Sequence, residues 1–70
     1  MKWNVKQVEE LTEINVKEGW SIIDSDGVLV KGNSSAMMVN ALTVYLASGY
    51  YIDCYTRSFS DDTLRIYIDK

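Results

Sequence analysis

The chain contains no histidine and a single cysteine, Cys54. Without histidine the commonest general base, the serine and cysteine triads and the usual zinc ligand sets are all missing. One thiol cannot form an internal disulfide. Proline is absent and there are four glycines, so nothing in the composition points to a linker or a low-complexity tract. Charge is missing from one place above all, because no charged residue stands between Lys31 and Asp53. That window is interrupted by Asn40, Thr43 and Ser48 and is too short to span a bilayer.

What remains is one small domain, residues 1–70. A chain of this size buries only about 60% of the surface its unfolded form exposes, so its core is marginal. Small domains gain stability from disulfides, metals or a partner subunit. One cysteine and no histidine argue against the first two, and a homo-oligomer, a dimer first, is the expectation. Ten acidic against seven basic residues give a net charge of −3, which argues against unspecific duplex DNA binding. The segment after Met1 is polar, with Lys2, Asn4, Lys6 and Gln7, and carries no apolar export core. With one thiol, this points to the cytoplasm and to no membrane association.

In the uncharged window Met37, Met38, Ala41, Leu42, Val44, Tyr45 and Leu46 recur at helical spacing. This predicts a central helix over 34–48, capped by Ser34 or Ser35 and closed at Gly49. The apolar residues cover more than half its circumference and should close a sheet. The remaining strip, Ala36, Asn40, Thr43 and Ala47, is small and uncharged. It is the candidate oligomer interface, or else the seat of the N-terminal helix.

That N-terminal helix is predicted over 4–18, with Asn4 and Gln7 as a capping box, Val5, Val8, Leu11 and Ile14 as its apolar stripe, and Gly19 as its stop. Its glutamates read as a solvated face. A hairpin over 20–31 follows. Asp26-Gly27 predicts a two-residue type I′ turn, which pairs Ile23 with Val30 and Ile22 with Lys31. Ile23, Val28 and Val30 then share one face, and Trp20, Ile22 and Leu29 the other. Both faces being apolar, this hairpin should be covered on both sides. A second hairpin over 50–69 shows clear alternation. Tyr50, Ile52, Cys54, Leu64, Ile66 and Ile68 should face the core, with Tyr51, Asp53, Tyr55, Arg57, Arg65, Tyr67 and Asp69 opposite. The fold class is therefore α+β in the order α-β-β-α-β-β, a four-stranded, mostly antiparallel sheet packed on the central hydrophobic helix.

Two motif-like runs dissolve on inspection. Asp24-Ser25-Asp26-Gly27 has the start of a calcium loop, but Val28 and Val30 stand where oxygen ligands are needed. The run 27–34 approaches a phosphate loop, but Asn33 replaces its lysine and Val28-Leu29-Val30 reads as strand. Gly32, Ser34 and Ser35 open a helix beside Lys31, which suits capping better than anion binding. The Asp24/Asp26 and Asp61/Asp62 pairs lie at hairpin tips, where turns favour aspartate. A glycosidase-type pair would also need a cleft. No enzyme and no cofactor are expected.

The most suggestive surface is the tyrosine- and arginine-bearing sheet face. Tyr51, Tyr55, Arg57, Arg65 and Tyr67, with Phe59 in the connecting loop, have the composition of a protein contact surface. Tyrosines could also stack on bases while arginines hold phosphates. The alternatives are a face that is solvated or covered by the N-terminal helix. A helix, Gly19-Trp20 and then a hairpin resembles HicA-type toxin endoribonucleases over residues 5–31. The histidine that family uses has no counterpart here, so its activity is not expected. The short, acidic, motif-free format resembles phage and mobile-element accessory proteins that inhibit host factors by binding. The expected function is a non-catalytic protein-binding module, with nucleotide or single-stranded nucleic-acid binding through the same face as the alternative.

Overall fold

Ser34 opens the central helix as expected: its hydroxyl accepts from the Met37 amide at 3.4 Å. In the computed structural model, which describes residues 5–70, the chain forms α1 (Val5–Leu11), β1 (Trp20–Asp24), β2 (Gly27–Gly32), α2 (Ser35–Ala47), β3 (Tyr51–Arg57) and β4 (Leu64–Asp69). The fold is α+β. The four strands form one mixed sheet in the order β2-β1-β4-β3. Each hairpin is antiparallel, and the two join through a parallel β1–β4 pair.

Helix α1 is shorter than the expected 4–18. After Leu11 the Thr12, Glu13 and Ile14 amides bond to carbonyls three residues back, at 3.0, 3.2 and 3.1 Å. The Thr12 hydroxyl also takes the Glu9 carbonyl at 2.7 Å. Asn15 then closes a local turn by accepting from the Lys17 amide. Side chains of this kind compete with the helix ladder, and the chain turns toward β1 well before Gly19. Asn4, the expected cap, lies outside the described residues.

The first hairpin also differs. Asp24 pairs with Gly27 across Ser25 and Asp26. The Asp24 carboxylate accepts from the Asp26 amide at 2.8 Å, and only Gly27 of the Asp26-Gly27 pair takes positive φ, +124°. A type I′ turn needs both. Beyond the turn Ile23 pairs with Val28 and Ile22 with Val30, so Leu29 is an extra residue in a bulge. A bulge inverts which face every later residue occupies. Val30 therefore joins Trp20 and Ile22, and Val28 is left with Ile23.

The same device changes β3. Ile52 pairs with Ile68, but Cys54 pairs with Tyr67 and Tyr55 with Ile66, which leaves Asp53 as the extra residue. Cys54 is thereby exposed rather than in the core. Tyr55 and Arg57 move to the side of Ile66 and Leu64.

Both helices pack on one side of the sheet. Val8, Leu11, Val16, Met38 and Leu42 form one buried cluster with Trp20, Ile22, Ile52, Leu64, Ile66 and Ile68. The first hairpin is thus covered on one face only by the described residues, and Val28 is 58% exposed on the other. Helix α2 meets the core through Met38 and Leu42, with Val39, Ala41, Tyr45 and Leu46 half-buried beside them. Met37 and Val44, expected to help close the sheet, are 57% and 63% exposed. A single helix laid on a sheet presents only one stripe to it, however apolar the rest may be.

Trp20 fixes where β2 ends and α2 begins. Its ring is buried, and its indole N–H donates to the Ser34 carbonyl at 3.0 Å. Gly32 is its cross-strand partner. A Cβ on Gly32 would stand 2.9 Å from the ring. The ring cannot withdraw without giving up its hydrogen bond. Gly32→Ala should therefore cost about 1–3 kcal/mol, read as a lower urea midpoint at unchanged slope. An unchanged midpoint would show that the ring is free to shift.

Candidate functional site

The register assigns side chains to the open face, opposite both helices, in rows across the sheet. One row runs Val28–Ile23–Tyr67–Cys54 and the next Lys31–Ser21–Arg65–Thr56; Tyr51 pairs with Asp69 at the far side. Ile23, Tyr67 and Tyr51 are half-buried, whereas Val28, Lys31, Arg65, Cys54 and Thr56 are exposed. The alternation of each strand produces this arrangement: Ile22 and Ile66 point into the core, so Ile23 and Tyr67 point out. The chain as a whole is acidic, yet two of the three charged side chains in these rows are cationic.

Of the expected contact residues, the structure brings together Tyr51, Arg65 and Tyr67. It separates Tyr55 and Arg57 from them, because the bulge at Asp53 turns both toward the helices' side. Tyr55 is 39% exposed there. Arg57 acts as a clasp. One guanidinium nitrogen donates to the Asn15 carbonyl and the other to the Asp62 carbonyl, each at 2.8 Å. The Asp62 carboxylate approaches at 3.9 Å. Arg57 thus ties the loop after α1 to the tip of the second hairpin. Sequence reasoning missed Ile23, Val28, Lys31, Cys54 and Thr56 as members of the open face. The apolar Val28-Leu29-Val30 run offered no alternation from which a bulge could be read.

Phe59 is fully exposed at the turn that joins β3 to β4. The turn around it is tightly made. The Ser58 amide bonds to the Thr63 carbonyl at 2.8 Å and the Asp62 amide to the Ser58 carbonyl at 3.0 Å. The Asp61 carboxylate accepts from the Thr63 hydroxyl at 2.7 Å and from its amide at 3.1 Å. These bonds, the hydroxyl's first, hold the Asp61 carboxyl below its ordinary value. Both aspartate pairs named from the sequence therefore serve turns, Asp24 at the first and Asp61 at the second. Among the described residues no group of three His, Cys, Asp or Glu side chains could hold a metal ion, and no helix is long and apolar enough to cross a membrane.

The candidate interface strip of α2 is exposed at Ala36, Asn40, Thr43 and Ala47. Helix α1 lies along one edge of it, where Val8, Thr43, Leu46 and Ala47 line a groove of about 330 Å3. Among the described residues the N-terminal helix thus touches the strip's edge, and Asn40 at its middle is exposed.

The placement of Cys54 is directly testable. A thiol reagent should label it in the native protein about as fast as in urea, whereas a core thiol would wait for unfolding. Asp61 offers a second test. A carboxyl whose folded value is lowered contributes stability above its unfolded value, and that contribution is lost as pH falls through the lowered value. Carboxyl NMR titration should find Asp61 protonating below the ordinary aspartate value, and Thr63→Val should raise it toward that value. No family model, curated protein or solved structure matches this chain.

Proposed function

We propose that this chain is a non-catalytic binding module whose contact surface is the open face of the sheet, and that its partner is another protein. The observation that carries this is the uncovered apolar row Val28–Ile23–Tyr67–Cys54 lying beside the cationic row that holds Lys31 and Arg65. Tyrosine and arginine beside the half-buried Ile23 and the exposed Val28 make the composition of an interface centre. The matching partner surface is apolar with carboxylates at its border. Phe59 stands apart from this surface, at the turn beside Arg57, Ser58 and Asp62.

Two cations on a face that also holds Asp69 favour a protein over a nucleic acid, whose phosphates call for more positive charge. An exposed thiol on the contact face suits a reducing compartment, which supports a cytoplasmic location. The small acidic format fits an accessory protein of a phage or mobile element that inhibits a host factor by occupying it.

The test is capture from the source cell's lysate with wild-type protein, with Tyr67→Ala combined with Arg65→Glu, and with Glu10→Gln as a control on exposed α1. The open-face pair should lose a partner that the wild type and the control retain. Capture that is identical for all three, or no captured protein at all, overturns the reading. A labelled single-stranded oligonucleotide titrated at rising salt separates the nucleic-acid alternative, since phosphate-driven binding weakens steeply with salt.

A further inference from the structure

The sheet carries a hollow of about 480 Å3 at the end where β1 begins and β2 finishes, with Glu18, Gly19, Ser21, Lys31, Asn33 and Thr63 among its lining. Small side chains make room for it. Gly19 holds a positive φ of +111°, and the Trp20 ring leaves no space for a Cβ on Gly32. Ser21 is half-buried between two cations, because it pairs with Lys31 on β2 and with Arg65 on β4. Adjacent strands lie about 4.8 Å apart, so the backbones of Lys31 and Arg65 stand roughly 10 Å apart with Ser21 midway. Both side chains are long enough to converge over the Ser21 hydroxyl.

These donors are also available. Among the described residues no hydrogen bond or ion pair engages the side chains of Ser21, Lys31, Asn33 or Arg65. The Thr63 hydroxyl, by contrast, is taken by Asp61. We propose that this hollow binds a phosphate group, free or as a monoester, between Lys31 and Arg65 with the Ser21 hydroxyl beneath it.

Charge and shape select the ligand. A phosphate monoester carries about −1.5 to −2 at neutral pH, which two cations match. The planar fork of Arg65 takes two of its oxygens and leaves a third for Lys31 and Ser21. A carboxylate has one charge and two oxygens, so it leaves one cation unanswered. A single phosphate group needs no further positive charge, unlike a nucleic-acid backbone. Glu18, exposed on the same hollow ahead of β1, is the one opposing group in the lining. It repels the anion, which the row Lys31–Ser21–Arg65 draws onto the sheet and away from it. The inference goes beyond the proposed function, because it holds whether the phosphate arrives free or on a partner protein.

Amide NMR titration at fixed ionic strength tests this with inorganic phosphate, an end-blocked phosphoserine peptide and acetate. Phosphate should shift the Ser21, Lys31 and Arg65 amides saturably, with dissociation at roughly 1–10 mM, as two exposed charge-assisted contacts allow. Acetate should bind at least about tenfold more weakly. Lys31→Gln and Arg65→Gln should each weaken phosphate binding at least about fivefold. Glu18→Gln should tighten it by removing a like charge, and Lys6→Gln, the same charge loss on α1, should leave it unchanged. All four altered side chains are exposed, and each variant's own spectrum shows that it is folded. A peptide that binds more tightly than phosphate supports the proposal with a modified protein as the source, and one that binds no better supports it with a free phosphate. No saturable shift, shifts that sodium chloride reproduces, or acetate as tight as phosphate overturns it. So does a Lys6→Gln loss equal to that of Lys31→Gln and Arg65→Gln, or weaker binding by Glu18→Gln. Capture of a partner from lysate does not depend on this titration, so the two readings fail separately.

Discussion

The Trp20 indole is the constraint on which the other parts depend. Its strand pairs with β2 on one side, through Gly32, and with β4 on the other, through Leu64. Its N–H holds the Ser34 carbonyl, which also accepts the Met38 amide at 3.0 Å and so begins the α2 ladder. One ring thus fixes the end of the first hairpin, the start of the central helix and the junction with the second hairpin. Burying an aromatic of this size contributes about as much as any single side chain in so small a core. The hydrogen bond removes the cost of burying its polar atom. Gly32 is the matching concession, a strand residue with no side chain because the ring occupies that space.

Much of this was legible in the sequence, for reasons specific to particular residues. Leu64, Ile66 and Ile68 alternate without interruption, and all three are buried. Ser34 caps the helix it precedes, and the helix ends at Ala47, ahead of Gly49. The order of elements follows from those signals. The candidate face was only half legible, because its composition depends on two bulges. A bulged residue has no chemical signature of its own. Asp53 is polar and would be assigned to the outside on alternation alone, yet its presence as an extra residue reverses Cys54, Tyr55, Thr56 and Arg57. The end of α1 was lost for a different reason. Helical periodicity continues through Ile14, but the Thr12 hydroxyl and the Asn15 carboxamide make local bonds that periodicity does not weigh.

The open face of the sheet and the uncharged outward side of α2 lie on opposite sides of the molecule. The open face belongs to the sheet and the uncharged strip to the helix that covers the sheet's other side. The acidic character of the chain concentrates away from both. Glu9, Glu10, Glu13 and Glu18 are exposed on α1 and the loop after it, and Asp61 and Asp62 sit at the second hairpin's turn. This segregation leaves those two surfaces with little negative charge in a chain that is acidic overall.

The parallel seam between β1 and β4 has a consequence for how the chain reaches its structure. Each hairpin, and the packing of α1 on α2's edge aside, most strand pairing here is local, and local pairing forms within microseconds. The seam joins Trp20 to Leu64, 44 residues away in sequence. Closing that loop costs entropy before any of the seam's contacts form. The middle of the sheet, where the core is most completely buried, therefore carries the longest loop closure of any strand pair in the fold, and α2 is the segment that spans it.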